Sequence, residues 1–531
     1  MNIQTERTET VLANLMGSRW ETLLNQIPRD ILVRASSETA KNPQGQLIVT
    51  FLINLLIRLH PVVNRVFLEI PQDFPSSENL PRWRRETLLL SLKTMHKSVK
   101  PPVKLFINQR RSSMGFACHI TIGSVDPLPM EGLWVGCNNW VAVISPLEAQ
   151  GLSDIINPIG AYAVATLAAS EAWKRILFPL QNQIRSIKIT PLDKPLFFST
   201  LDYSQRSDGS NPVLPENVDI GRLTIVGLGA GGGAAGFTLA SLPGLRGLIN
   251  LIEPDEVEPS NLNRYVFADD TDAAKKRPKV DCVRDLLNPY PKIRLRVWSK
   301  PYSEAKNDLE KEDYRHVIAA VHSRNARYEI QYETPKVLWD AGATEQGDFF
   351  IWRIILGETQ CMFCKHPPTE GEPEREKAKQ LSKLIGLEPE TWLRKMTNNE
   401  VFTEEEIKIL EPRFYAHKVG LDIPKPGQRY SEWFTNQCGR LKLPELDEEI
   451  PIPFAPVMAG VLLAGEVLKE SLLPNNVLRG YYWNNLTARF NPHLLPIQKA
   501  PKGDCTFCKD PVWEEQYRRR WKAAELSHIL K

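Results

Sequence analysis

Four cysteines stand in two short segments of the same form, Cys361-Met-Phe-Cys364 and Cys505-Thr-Phe-Cys508. Each pair sets two thiolates on one tight turn. Together they offer the tetrahedral sulfur set of a closed zinc site, in which no ligand position stays open for catalysis. The chain has eight cysteines in 531 residues, too few for a disulfide framework. A zinc ion held there is expected to be structural and to pin the C-terminal tail back onto the body of the protein. Of the remaining cysteines, Cys118, Cys137 and Cys282 lie in apolar strand-like or helix-like segments and read as core. Cys438 differs, because it stands in WFTNQCGRLKLP beside Gly439 and Arg440, where it can be exposed and its thiolate favoured by nearby positive charge.

A second constellation suits phosphate. In TIVGLGAGGGAAG (Thr224 to Gly236) an apolar strand runs into a glycine-rich turn, and Gly227, Gly229 and Gly232 fit the spacing that lets backbone N–H groups and a helix N-terminus approach phosphates. The next strand, GLINLIEPD, ends in Glu253, placed to accept hydrogen bonds from a ribose hydroxyl of either NAD or ATP. Asn261 and Arg264 follow in EPSNLNRYVF, and Lys279 opens the next amphipathic helix. Two cations arriving at one phosphate site suit a triphosphate whose pyrophosphate must leave with charge building up, a clamp that a dinucleotide does not need.

The elements that must position these residues divide the chain. With 42% hydrophobic and 24% charged residues it can bury a large core. Its net charge of +3 makes no case for nucleic acid. The longest apolar run, LIVTFLINLLIRLH, is too short for a membrane span and is broken by Arg58, and MNIQTERTETVLANL is not a signal peptide, so a cytoplasmic protein without a membrane partner is expected. A polar linker, YSQRSDGSNPVLPENVD, covers residues 203–219. The charged stretch after His366 has helical spacing and reads as a helical insertion with a solvated charged face. Leu167–Lys174 (LAASEAWK) and Leu462–Lys469 (LLAGEVLK) both place Glu and Lys three apart, each soon after a proline, which suggests two copies of one α/β unit. Only the second keeps the glycine loop.

The order VGLGAGG, IEPDEVEPSNLNRYVF, RPKV and two CxxC pairs resembles the ThiF/MoeB/E1 superfamily, whose members adenylate the C-terminal carboxylate of ubiquitin-like proteins. The resemblance covers Gly221 to His366 and Pro451 to Lys509. It implies an α/β fold of two Rossmann-like adenylation units in one chain, an intramolecular pseudo-dimer with homodimerisation left open. The expected divisions are a degenerate unit at 1–202, the linker at 203–219, the ATP-binding part of the active unit at 220–367, a helical insertion with the cysteine segment at 368–450, and the returning part of the unit with the tail at 451–531.

By the same resemblance Gly227, Gly229 and Gly232 form the ATP loop, Glu253 takes the ribose where Asp is usual, Asp255 matches a second acidic position, and Asn261, Arg264 and Lys279 contact nucleotide and phosphates. The family usually places a Mg²⁺-binding Asp after its fourth strand, where this chain has His322, a poor ligand for a hard cation. Either another carboxylate serves, with Asp340 the nearest by sequence, or the alignment to the family slips here, or the site has changed its metal use. Cys438 takes the place of the thioester-forming cysteine, and a ubiquitin-like protein and an E2-like acceptor become the expected partners. An arginine of the first half, with Arg19, Arg29 and Arg34 as candidates, is expected to reach the phosphates. The domain set looks most like the compact E1 of a bacterial ubiquitin-like conjugation operon associated with anti-phage defence. A sulfur-transfer enzyme of MoeB or ThiF type, a nicotinamide oxidoreductase, and a scaffold that binds a carrier without catalysis are the competing readings.

Overall fold

The computed structural model describes residues 6–366 apart from 110–114, 125–131, 185–186, 206–210 and 345; residues 452–522 apart from 492, 504, 506 and 509; and, between these spans, 388, 391–392, 394–395, 400–416, 423–430 and 433. They fall into two compact units, Met1–Lys365 with Ile450–Lys531, and His366–Glu449.

The first unit carries two seven-stranded sheets. Strands β1 (Asp30–Ala35), β2 (Arg65–Glu69), β3 (Lys104–Ile107), β4 (Phe116–Ile122), β5 (Leu133–Asn138), β6 (Val141–Ser145) and β7 (Leu196–Ser199) lie in the order β3-β2-β1-β4-β5-β6-β7. Strands β8 (Val218–Val226), β9 (Leu245–Ile252), β10 (Lys292–Trp298), β11 (His316–Ala319), β12 (Val337–Ala343), β13 (Asp348–Ile354) and β14 (Tyr481–Asn485) lie in the order β10-β9-β8-β11-β12-β13-β14. In both sheets the first five positions are parallel and the last two strands antiparallel. The two halves are therefore one topology used twice. In the second, the strand order switches direction between β8 and β11, and it is at the carboxyl ends of such a switch point that doubly wound sheets take ligands.

The helices used below are α1 (Glu6–Met16), α2 (Pro43–Leu56), α3 (Pro158–Leu177), α4 (Ala230–Leu239), α5 (Lys279–Leu287), α6 (Arg324–Tyr332), α7 (Phe454–Leu472) and α8 (Pro511–Tyr517). The Asn42 side chain accepts from Gly45 N and Pro43 occupies the first turn, which starts α2 sharply. Every residue of α2 from Gln44 to Leu56 is buried, as its apolar run requires. Phe51 of α2 stacks on Tyr162 of α3 at 4.0 Å and lies 5.6 Å from Phe237 of α4, so the two halves share a core. Helices α4 and α7 approach so closely that a Cβ on Gly460 would stand 2.2 Å from Gly231 O.

The repeated Glu and Lys mark equivalent buried ion pairs. Glu171 pairs with Lys174 on α3, and Glu466 with Lys469 on α7, all four buried. Each carboxylate also accepts a backbone N–H from the chain that leaves its helix: Leu192 N at 2.9 Å on Glu171, and Leu478 N at 2.7 Å on Glu466. Lys469 further donates to Leu201 O at 2.8 Å, tying the end of the first half to the second. Burial presses the Lys469 pKa down, with Glu466 opposing. Replacing Lys469 by Met strands the carboxylate, at a cost of about 3–5 kcal/mol. Denaturant unfolding should show that loss for Lys469→Met, and most of it should return in the double variant with Glu466→Gln.

The second unit contains the helix Glu404–Ala416 and an aromatic cluster of Trp392, Phe402, Tyr430 and Trp433, in which Phe402 stacks on Tyr430 at 3.8 Å. Part of its charge, expected to be solvated, is paired instead: Lys395 reaches Glu400 at 3.0 Å and Glu406 at 2.6 Å. Cys438 lies outside the described residues. No described helix is long and apolar enough to cross a membrane.

Candidate functional site

Strand β8 runs directly into Gly227, whose φ of +88° only glycine adopts readily and whose Cβ would meet Ala320 O at 2.5 Å. A Cβ on Gly232 would come against Gly227 O at 1.9 Å, so the turn and the first turn of α4 need glycine at both positions. Gly229 is different: the nearest atom to its Cβ position is Tyr265 Oη at 3.8 Å, which leaves open space in front of the loop. It is also the N-cap of α4 and provides no side-chain cap. The N–H groups of that first turn have no intrahelical partners and carry the positive end of the helix dipole, the arrangement that receives phosphate oxygens.

Glu253 follows β9 directly and braces the loop, its carboxylate accepting from Leu228 N at 2.7 Å and Asp255 N at 3.2 Å. Burial pushes its pKa up, with Lys279 opposing. Lys279 begins α5 and sends Nζ to Asp255 Oδ2 at 2.8 Å, with Glu253 Oε1 at 3.8 Å and the Tyr265 ring centroid at 5.6 Å. Burial works to raise Asp255, yet Lys279 and, more weakly, His322 hold it below its ordinary value. Burial works to lower Lys279, and Tyr265, Glu253 and Asp255 outweigh it, so the ammonium stays charged.

Arg264 lies in the turn after the short helix Pro259–Asn261, its Nη1 on Asn263 Oδ1 at 2.9 Å and its guanidinium 5.3 Å from the Tyr265 ring. Asn261 is buried and closes that short helix by accepting Glu258 N at 3.1 Å. The structure thus gathers the glycine loop, Glu253, Asp255 and Lys279 around Tyr265, with Arg264 and Asn261 on the adjoining turn.

His322 is exposed after β11, and its carbonyl accepts from Arg327 at 3.0 Å. Asp340 is fully buried and bonded to Arg327 Nε at 2.8 Å, a core ion pair. Among the described residues, the group of side chains placed to hold an ion is the cysteine cluster, not a set of carboxylates. Two of the arginines proposed from sequence are used within the first half. Arg29 donates to Pro61 O and Asn25, each at 2.9 Å. Arg34 pairs with Glu69 at 2.9 Å, at the end of β2, near the position that Glu253 takes after β9 in the second half. Arg19 is exposed in the turn after α1. Residues of α1 come closer to the site, since Thr8 meets Asn263 at 3.4 Å and Arg7 lines a small cavity with Asn263 and Pro453.

The cysteine pairs meet. Cys361 Sγ lies 3.8 Å from Cys364 and 3.6 Å from Cys505, Cys364 lies 3.7 Å from Cys508, and all four sulfurs are within 4.8 Å of one another. A tetrahedron with Zn–S bonds of about 2.3 Å has edges of about 3.8 Å, so the spacing fits zinc. The phenylalanine in each pair also has a task. Phe363 stacks on Phe507 at 5.3 Å, flanked by Tyr328 of α6 and Trp513 of α8 at 4.0 and 5.2 Å. At the end of α8, Tyr517 donates to Lys336 O at 3.0 Å, and beyond it Trp521 donates to Thr334 O at 2.8 Å, fastening the tail to the α6–β12 turn.

Sheet order, glycine turn and switch point define a Rossmann-like α/β protein. A model of the ThiF family matches residues 216–507, more than half of the chain, and the chain belongs to that family. The uncharacterized protein y4jF of Sinorhizobium fredii (strain NBRC 101917 / NGR234) is 25% identical over 522 residues, which cover 92% of this chain and 91% of that one. Among solved structures, E. coli MccB with succinimide is 16% identical at a TM-score of 0.32, covering 55% of this chain and 66%, just under two thirds, of that one. E. coli MccB with AMPCPP and MccA is 14% identical at a TM-score of 0.31, covering 71% and 97%. The second half is an adenylyltransferase-like domain of the ThiF type.

Proposed function

We propose that this chain is an E1-like enzyme that activates the C-terminal carboxylate of a ubiquitin-like protein with ATP and passes it through a cysteine thioester to an E2-like acceptor. The observation that carries the reading is Lys279, kept charged beside Asp255 and Glu253, the second of which is bonded to Leu228 N in the glycine loop that leads into the uncapped helix α4. A nicotinamide enzyme has no use for such a buried cation at its phosphates.

In this reading the glycine loop takes the phosphates and Glu253 the ribose, with Asn261 on the nucleotide. The carrier carboxylate attacks the α-phosphorus, the bond to the bridging oxygen of pyrophosphate breaks, and Lys279 with Arg264 offsets the charge that builds there. The Cys438 thiolate then attacks the acyl carbon of the adenylate and AMP leaves. Mg²⁺ belongs with ATP as part of the substrate. Zinc, held by Cys361, Cys364, Cys505 and Cys508, supplies a structural crosslink.

The test is a non-reducing gel of the protein with Mg-ATP and a ubiquitin-like protein encoded beside it. The expected result is an ATP-dependent, thiol-sensitive adduct that is absent from Cys438→Ala. Pyrophosphate exchange without an adduct would place the chain with the sulfur-transfer adenylyltransferases. Neither product would leave a carrier-binding scaffold.

A further inference from the structure

The turn that carries Arg264 is gripped on one side by side chains of the first half. Arg58, just beyond the end of α2, donates through Nη1 to Leu262 O, through Nη2 to Ala268 O at 2.9 Å and through Nε to Asn54 Oδ1 at 2.9 Å. Asn54 in turn donates to Val266 O at 2.8 Å. Arg82 donates to Phe267 O and reaches Asp269 and Asp272 at 2.8 and 2.7 Å, while Trp83 Nε1 donates to Asp269 at 3.2 Å. Four carbonyls between residues 262 and 268 are thus held by one neighbouring half-molecule. The other side of the turn rests on α4, where a Cβ on Gly233 would stand 1.9 Å from the Phe267 ring.

Arg58 is an expensive residue to bury. Its guanidinium is desolvated and lies near Arg82, which together lower its pKa to about 9, with Asp269 and Asp272 opposing. A neutral side chain would avoid that cost, but none has a planar fork that spans carbonyls six residues apart while also meeting Asn54. Lysine presents its three donors from one point.

We propose that Arg58 and Arg82 are positioning residues: by clamping the backbone of residues 262–268 they fix the direction of Arg264 toward the nucleotide phosphates. This rests on the proposed function for the role of Arg264, while the clamp itself is open to a separate measurement. The first half then contributes geometry to a site to which it need lend no ligand of its own.

The experiment compares the full chain with Arg58→Lys and Arg82→Lys, by hydrogen exchange resolved at residues 261–268 and by ATP–pyrophosphate exchange with the ubiquitin-like protein. The expected result is at least about tenfold faster amide exchange confined to that turn. In pyrophosphate exchange, kcat should fall about 10- to 100-fold with ATP KM changed less than about threefold, as misplacement of a group acting in the transition state requires. Unchanged exchange at 261–268, or an acceleration spread evenly over β8, β9 and β11, overturns the clamp. Wild-type protein with no pyrophosphate exchange overturns the function and leaves the clamp to the amide result. Should Arg58→Lys not fold, Arg82→Lys, whose arginine is partly solvated, decides the matter by the same two readouts.

Discussion

With zinc held as proposed, the wild type is expected to carry about one ion per chain, and protein carrying Cys361→Ser and Cys505→Ser to carry none and to release its tail. The change removes one sulfur from each pair, so neither remaining half-site holds a tetrahedral ion. Structural zinc contributes about 10–16 kcal/mol of apparent binding energy in small domains that fold around it. Here the sheets have a core of their own, so the loss should fall on what the site joins. That is the stack of Phe363, Phe507 and Trp513 and, through it, the seats of Tyr517 and Trp521 on the α6–β12 turn. Metal analysis, with limited proteolysis followed by mass spectrometry, should show cleavage after about residue 500 in the variant or in chelator-treated wild type. A tail that stays protected after the zinc is removed would show that the stacked rings alone fasten it.

Lys279→Met should reduce pyrophosphate exchange by about 10²- to 10³-fold, the usual cost of losing a preorganised charge at the reacting centre. It should also destabilise the fold, and the pH dependence identifies the cause. In the wild type, Asp255 is held below its ordinary pKa, so its contribution is complete above about pH 4 and is lost only as the pH falls through the lower folded value. Without Lys279, burial of Asp255 is opposed only by weaker partners such as His322, and that of Glu253 only by its backbone hydrogen bonds, so both carboxyls move up. Carboxyls raised in this way cost stability as the pH climbs from their ordinary values through the folded ones. The deficit in Tm should therefore be greatest near pH 8 and shrink toward pH 4. A deficit independent of pH would mean that the lysine acts through packing rather than charge.

Much of this was readable in one dimension, because the residues concerned act through local spacing. The glycines of the phosphate turn, the acid at the next strand end and the cysteine pairs all lie where a strand-turn-helix unit or a tight turn puts them. The Glu and Lys shared by α3 and α7 pointed to duplication, and the matching sheet orders show it. The phenylalanine common to CMFC and CTFC was a signal of the same kind, but spacing alone does not show that two rings will stack. Arg58 was illegible for another reason. In the sequence it is the break in an apolar run, and its partners are backbone carbonyls more than 200 residues away, which have no side-chain identity to read. The same applies to Asp340, which looks like a free acid by type and is consumed by Arg327.

The pairing of Arg34 with Glu69 bears on stoichiometry. A symmetric dimer of such units would present two equivalent sites, able to communicate and to fill unevenly. In this chain the first strand of the first sheet ends at Ala35 and is followed by Ser36 and Ser37 where the second has its glycine turn, and its acid is already paired with an arginine from the neighbouring strand. A titration with nucleotide should accordingly saturate at about one equivalent per chain with a hyperbolic isotherm, since sigmoidal binding needs at least two interacting sites. Duplication followed by closure of one copy gives a protein in which half-of-the-sites behaviour has no substrate within the monomer.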